Sequence, residues 1–262
     1  MAVPPGPLVQ WAPEPHNLPP NCPPGLSYLL QVDQLLVKQQ IELLEAFTGF
    51  ETGNKYLVLN TAGQQVFYAA EESGCLSRNC CGPLREFDMI LLDNSSQEVA
   101  RFRRPFKCTG RCFICWCPCQ LQEMEITAGG VVIGKIQQIW DIKSPIYNIC
   151  DAQGQTVLKI VGPVCAVSCC NDINFDVMTT DGNVVGMVQK KFGGVAQELF
   201  TDADNFGITF PMDLDVRVKA VLLAATFLIV SNSRHSRTYI LYNPFQDLNF
   251  FEDKNGANTL FK

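Results

Sequence analysis

Histidine is almost absent from this chain. His16 and His235 are the only two, one in a proline-rich opening and the other after the last apolar run. With no imidazole in the body of the chain, an ordinary general base or nucleophile triad has no candidate, which argues against a hydrolase. A phosphate cradle is missing as well: the glycines of "TAGGVVIG" and "KKFGGVAQ" are not followed by the Lys and Ser or Thr that hold a nucleotide. No basic segment leading into an apolar core opens the sequence, so no secretory route is expected and the thiols should be reduced. The apolar run from Ala220 to Val230 has eleven residues, well short of the ~20 that span a bilayer as a helix.

Charge is sparse. Charged residues make up 18% of the chain and the net charge is −6, which argues against nucleic acid as a partner. Hydrophobic residues make up 47% of the 262 residues, enough to bury a sizeable core. The 13 cysteines are an odd number, scattered from Cys22 to Cys170, unlike the framework of a small secreted domain.

Residues 1–25 hold nine prolines, from Pro4 to Pro24, and read as an extended or disordered arm. Its "PEPHNLPP" and "PPNCPP" runs suit the aromatic grooves of SH3 or WW domains, although a plain tether explains them equally. From residue 50 one pattern recurs: an apolar or alternating run, a turn rich in Gly, Asn, Asp or Ser, and a second such run. The copies are "NKYLVLNTAGQQVFYAA", "FDMILLDNSSQEVARF", "LQEMEITAGGVVIGKIQQIW", "YNICDAQGQTVLKIVG" and "FDVMTTDGNVVGMVQKKF". Each reads as a β-hairpin, with Gly63, Gly129, Gly154 and Gly182 at turn positions. Residues 26–48 are ambiguous in period and supply a short helix plus a further strand. So many sequential hairpins leave exposed edges in an open sheet, and closure into a barrel removes them. The filling is "KAVLLAATFLIV", Lys219 to Val230, apolar on every face as a helix.

Two stretches carry local chemistry. In "RFRRPFKCTGR" the cations Arg101, Arg103, Arg104, Lys107 and Arg111 fall close together. They read either as a charged edge strand or as a patch for anionic lipid, worth about 1 kcal/mol per charge. Directly after it, "RCFICWCPC" holds Cys112, Cys115, Cys117 and Cys119. Zinc would need a second pair, such as Cys165 and Cys169, because cysteines at period two on one strand do not surround a tetrahedral ion.

The stretches "NCPPGLSYLLQVDQLLVKQQIELLE", "CWCPCQLQEMEI", "LKIVGP" and "ELFTDADNFGITFPMDLDVRVKAVLLAATFLI", with the proline-rich opening, resemble the phospholipid scramblase family over about residues 19–230. The resemblance implies an all-β fold, a twelve-stranded antiparallel closed barrel around a buried hydrophobic C-terminal helix, as in tubby-like proteins. In these terms residues 1–25 are the arm, 26–230 the barrel with its central helix at 214–230, and 231–262 a polar tail where the family has a short acidic, phenylalanine-rich ending. The resemblance further implies calcium-stimulated, energy-independent, bidirectional movement of phospholipids, a transport-type activity rather than catalysis. It implies palmitate on the cysteines of the 112–119 region, the cytoplasmic face of the plasma membrane as location, and the nucleus when palmitate is absent. Stable anchoring takes several acyl chains, or one chain with a basic patch.

The family's calcium segment matches "DADNFGITFPMD". Read as an EF-hand-like loop it puts Asp202 at position 1, Asp204 at 3, Phe206 at 5, Gly207 at 6, Ile208 at 7 and Asp213 at 12, with main-chain carbonyls supplementing the carboxylates. The other reading makes Asp202 and Asp204 turn residues while Phe206, Ile208 and Phe210 alternate into the core as a strand. Two functions remain open: a lipid scramblase acting on an anionic inner leaflet, with a homo-oligomer one way to build a path, or a palmitoylated signalling adaptor that transports nothing.

Overall fold

The hairpin turns repeat one piece of chemistry. The computed structural model describes residues 10–15, 19, 22–40, 54–72, 86–105, 121–141, 144–163, 173–191 and 205–233. In the turns that begin at Asn60, Asp93 and Asp151, the side-chain oxygen accepts from the backbone N–H groups two and four residues on, at 2.8–3.0 Å. The turn at Thr179 uses its hydroxyl for the second of these bonds. Each turn also closes a backbone bond to the residue three positions on, which must then adopt positive φ: Gly63, Ser96, Gly154 and Gly182. Each is followed by a register shift of the strand pair, the bulge that a three-to-five-residue loop of this kind introduces.

Twelve strands result, in chain order: β1 (Gln34–Gln40), β2 (Lys55–Leu59), β3 (Gln65–Glu72), β4 (Phe87–Leu92), β5 (Glu98–Arg104), β6 (Glu123–Ala128), β7 (Val131–Ile139), β8 (Ile146–Asp151), β9 (Thr156–Val161), β10 (Ile173–Thr179), β11 (Val184–Lys191) and β12 (Asn205–Thr209). Every strand pairs antiparallel with its sequence neighbours, and β1 pairs with β12 from Gln34 with Thr209 to Lys38 with Asn205, so the sheet is a closed barrel. The five predicted hairpins are all present. The ambiguous 26–48 stretch gives a 3-10 turn (Ser27–Gln31) and β1. The twelfth strand is the segment read as a calcium loop.

One helix, α1 (Val216–Ser233), fills the interior. It begins where Asp215 caps it, accepting at Oδ1 from the Arg217 N–H at 2.8 Å. From Ala220 to Ile229 no residue is more than 4% exposed. It packs tightly on the wall over β7 at Gly134, where an added Cβ would lie 2.5 Å from Val221 Cγ2. Farther along, Phe227 stacks edge-on against Tyr56 with ring centres 5.2 Å apart and lies 6.0 Å from Phe102. The helix extends to Ser233 rather than stopping at Val230, and no described helix is long and apolar enough to cross a membrane.

The barrel has two unlike ends. At one, connections are short, from two residues (129–130) to five (60–64 and 93–97). At the other they run from six (140–145) to eighteen (105–122). The helix enters at the short-turn end and points toward the other. The proline-rich arm is not wholly separate from this body: Gln65 lies beyond the last β3–β4 pair, Tyr68 with Leu92. Its backbone is taken instead by Gln10 and Ala12, each bond at 2.8 Å.

Candidate functional site

Of the calcium candidates, Phe206, Ile208 and Asp213 lie among the described residues; Asp202 and Asp204 lie outside them. Phe206 is 1% and Ile208 0% exposed, because alternation along β12 sends both side chains inward. Their backbones are paired on both sides, Phe206 with Val37 and Lys190, Ile208 with Leu35 and Val188, so ladder bonds compete for the carbonyls that an ion would need. Gly207 is extended and has no positive φ, whereas an EF-hand loop requires a sharp turn at its sixth position. In sequence, Asp202 and Asp204 precede β12 and Asp213 follows it. The described residues therefore do not fit an EF-hand-like wrap and match the alternating-strand reading instead.

The basic run divides by strand phase. On β5, Phe102 and Arg104 share the inner face, at 0% and 2% exposed, which removes Arg104 from any surface patch. Arg101 points outward into carboxylates, with Nη1 2.8 Å from Glu72 and 3.3 Å from Asp88, and Nη2 2.6 Å from Glu98. The hydrogen bonds it donates to Glu98 and Glu72 push its pKa above the usual arginine value, but its charge is matched locally. Arg103, with its side chain 71% exposed and Asp88 at 3.9 Å, is the described member of the run that faces solvent. Lys107 and Arg111 lie outside the described residues. A recess of about 240 Å³ beside Arg103 is lined by Glu123, Met124, Glu125, Lys135, Ile136 and Gln137. Lys135 and Glu125 pair there at 3.1 Å.

Cys112, Cys115, Cys117 and Cys119 lie outside the described residues. By sequence they belong to the 105–122 connection, and eleven of the 13 cysteines fall in the 73–86, 105–122 and 162–172 connections at that same end. Among the described residues no group of three or more His, Cys, Asp or Glu is placed to hold a metal ion. Cys150 is buried in β8, and Cys22 is half-buried.

Sequence reasoning missed Lys219. It reads as the polar flank of an apolar run, yet its side chain is fully buried. Its Nζ donates to three main-chain carbonyls: Leu29 O at 3.0 Å, Val32 O at 2.9 Å and Met212 O at 2.7 Å. The Phe210 ring lies 5.2 Å away. The available signal was a lysine inside an otherwise uniformly apolar helix, where an ammonium needs three acceptors.

The scramblase family model matches residues 12–232. Phospholipid scramblase 1 of Homo sapiens is 51% identical over 223 residues, covering 84% of this chain and 69% of that protein. Phospholipid scramblase 2 of Bos taurus is 53% identical over 224 residues, covering 84% and 74%. Phospholipid scramblase 4 of Homo sapiens is 37% identical, covering 84% and 67%. No solved structure matches the chain.

Proposed function

The chain belongs to the scramblase family, and on that premise we propose that it moves phospholipids between the two leaflets of a membrane. The observation that carries this reading is the family match across nearly the whole barrel and its helix, at about half identity to phospholipid scramblases. We propose further that the movement is energy-independent, since the sequence offers no nucleotide site. A path without an energy source lowers the barrier equally in both directions, so movement is bidirectional. Calcium stimulation belongs to the proposal on the resemblance of the 202–213 segment, with the carboxylates of Asp202, Asp204 and Asp213 as its candidate ligands.

Attachment is proposed through palmitate on Cys112, Cys115, Cys117 and Cys119, with Arg103, Lys107 and Arg111 toward an anionic leaflet. Two or more chains give stable anchoring where one gives only marginal binding. The proposed location is the cytoplasmic face of the plasma membrane, and the nucleus when the protein is not acylated. SH3 or WW domains are proposed partners of the proline-rich arm. Transport needs a polar route through hydrocarbon, which a barrel with its helix enclosed does not itself provide, so a homo-oligomer is part of the reading.

The enclosure of α1 favours a second reading, a palmitoylated adaptor without transport. The test is reconstitution of the full chain in liposomes carrying a labelled phospholipid, with and without calcium. Label should cross faster than in protein-free liposomes, at equal rates inward and outward, and faster still with calcium. Crossing at the protein-free rate would remove the transport reading and leave the adaptor.

A further inference from the structure

Lys219 is a cation placed where the core helix meets the barrel's closing strands. A fully buried ammonium is costly unless all three of its donors are satisfied, and here they are. The acceptors come from separate parts of the chain. Leu29 and Val32 stand immediately before β1, and Met212 immediately after β12. These two strands form the one wall contact joining distant parts of the sequence. A single ammonium thus ties together the first strand, the last strand and the helix. Burial lowers its pKa from 10.5, while the carboxylates of Asp33 and Asp213 act in the opposite direction.

We propose that Lys219 is a built-in cation that locks the β1–β12 seam to the core helix.

One measurement on the full-length protein tests it.

It is amide hydrogen exchange of Lys219→Met. Exchange should accelerate about tenfold or more in β1, β12 and α1 together, ahead of β8 and β9. Leu158→Ala, a core truncation in β9, is the control for general destabilisation and should not favour the seam. If K219M does not fold, K219R takes its place, since a guanidinium keeps the charge but does not reproduce the three carbonyl bonds, and it is expected to accelerate the seam selectively. Acceleration spread evenly over all twelve strands, as in the control, would refute the lock.

Discussion

Gly134→Ala should be among the most damaging single-methyl changes in this barrel, and its cost can be worked from two distances. The new Cβ would sit 2.5 Å from Val221 Cγ2 and 2.6 Å from the carbonyl oxygen of Cys150, each about 1 Å inside ordinary contact. Val221 is β-branched on a helix and has little rotamer freedom with which to withdraw. The Cys150 oxygen belongs to β8, whose ladder with β7 runs from Gly134 with Asp151 to Ile139 with Ile146. Overpacking of this kind costs about 3 kcal/mol when backbone must move, which lowers the melting temperature by about 6–12 °C for a domain of this size. The assay is thermal unfolding by circular dichroism of wild type, G134A, V221A and the double variant. Val221→Ala alone should cost about 2 kcal/mol. The double variant should be less destabilised than the sum by at least about 1 kcal/mol, because one of the two clashes is gone. A Gly134→Ala protein as stable as wild type, or strictly additive effects, would refute the close packing of helix on β7.

Other outcomes follow from named contacts. Ser96→Gly should stabilise by about 0.5 kcal/mol, since Ser96 holds φ 58° where the three sister turns have glycine and relief of about 1 kcal/mol of strain outweighs the added freedom of the unfolded chain; a melting temperature below wild type would contradict it. Arg101→Ala should cost no more than about 1 kcal/mol and lose its effect at high salt, whereas Arg104→Ala should cost about 3 kcal/mol regardless of salt. Equal, salt-sensitive losses would mean that both arginines sit on the surface. For Lys219, the folded pKa lies below the ordinary 10.5, so between the two values the unfolded chain binds more protons and stability rises with pH. The stability difference between wild type and K219M, followed by urea titration, should therefore grow in favour of wild type up to pH 10.5, and a decline in that window would reverse the assigned direction.

The hairpins were legible because two independent signals coincide in each: alternation with period two, and an Asn, Asp, Thr or Gly turn at the right spacing. β12 was harder to recognise. "DADNFGITFPMD" carries acidic residues and a glycine at loop-like positions, yet Phe206, Ile208 and Phe210 alternate as strongly as any strand, and burial of two phenylalanines and an isoleucine outweighs a sparse set of oxygen ligands. Arg104 was misread because a run of arginines suggests surface; its shared parity with buried Phe102 was the contrary signal. The triple bond set of Lys219 depends on carbonyls 187 and 190 residues away in sequence, and no local pattern announces such partners. The same distance hides which two strands close the ring: the hairpin pattern called for closure, and the resemblance supplied the number twelve.

Closure by the first and last strands has a consequence for how the protein is made. Every wall contact but one is local, so hairpins can form as the chain emerges from the ribosome, favoured by low contact order. The ring, however, waits for β12, and its interior waits for α1, the last described element. At ordinary synthesis rates about 10–40 s separate the appearance of β1 from that of the helix that fills the core. Through that interval the inward faces of eleven strands have nothing to close on, and the nascent barrel is an apolar trough open to water, to a chaperone or to its own neighbours.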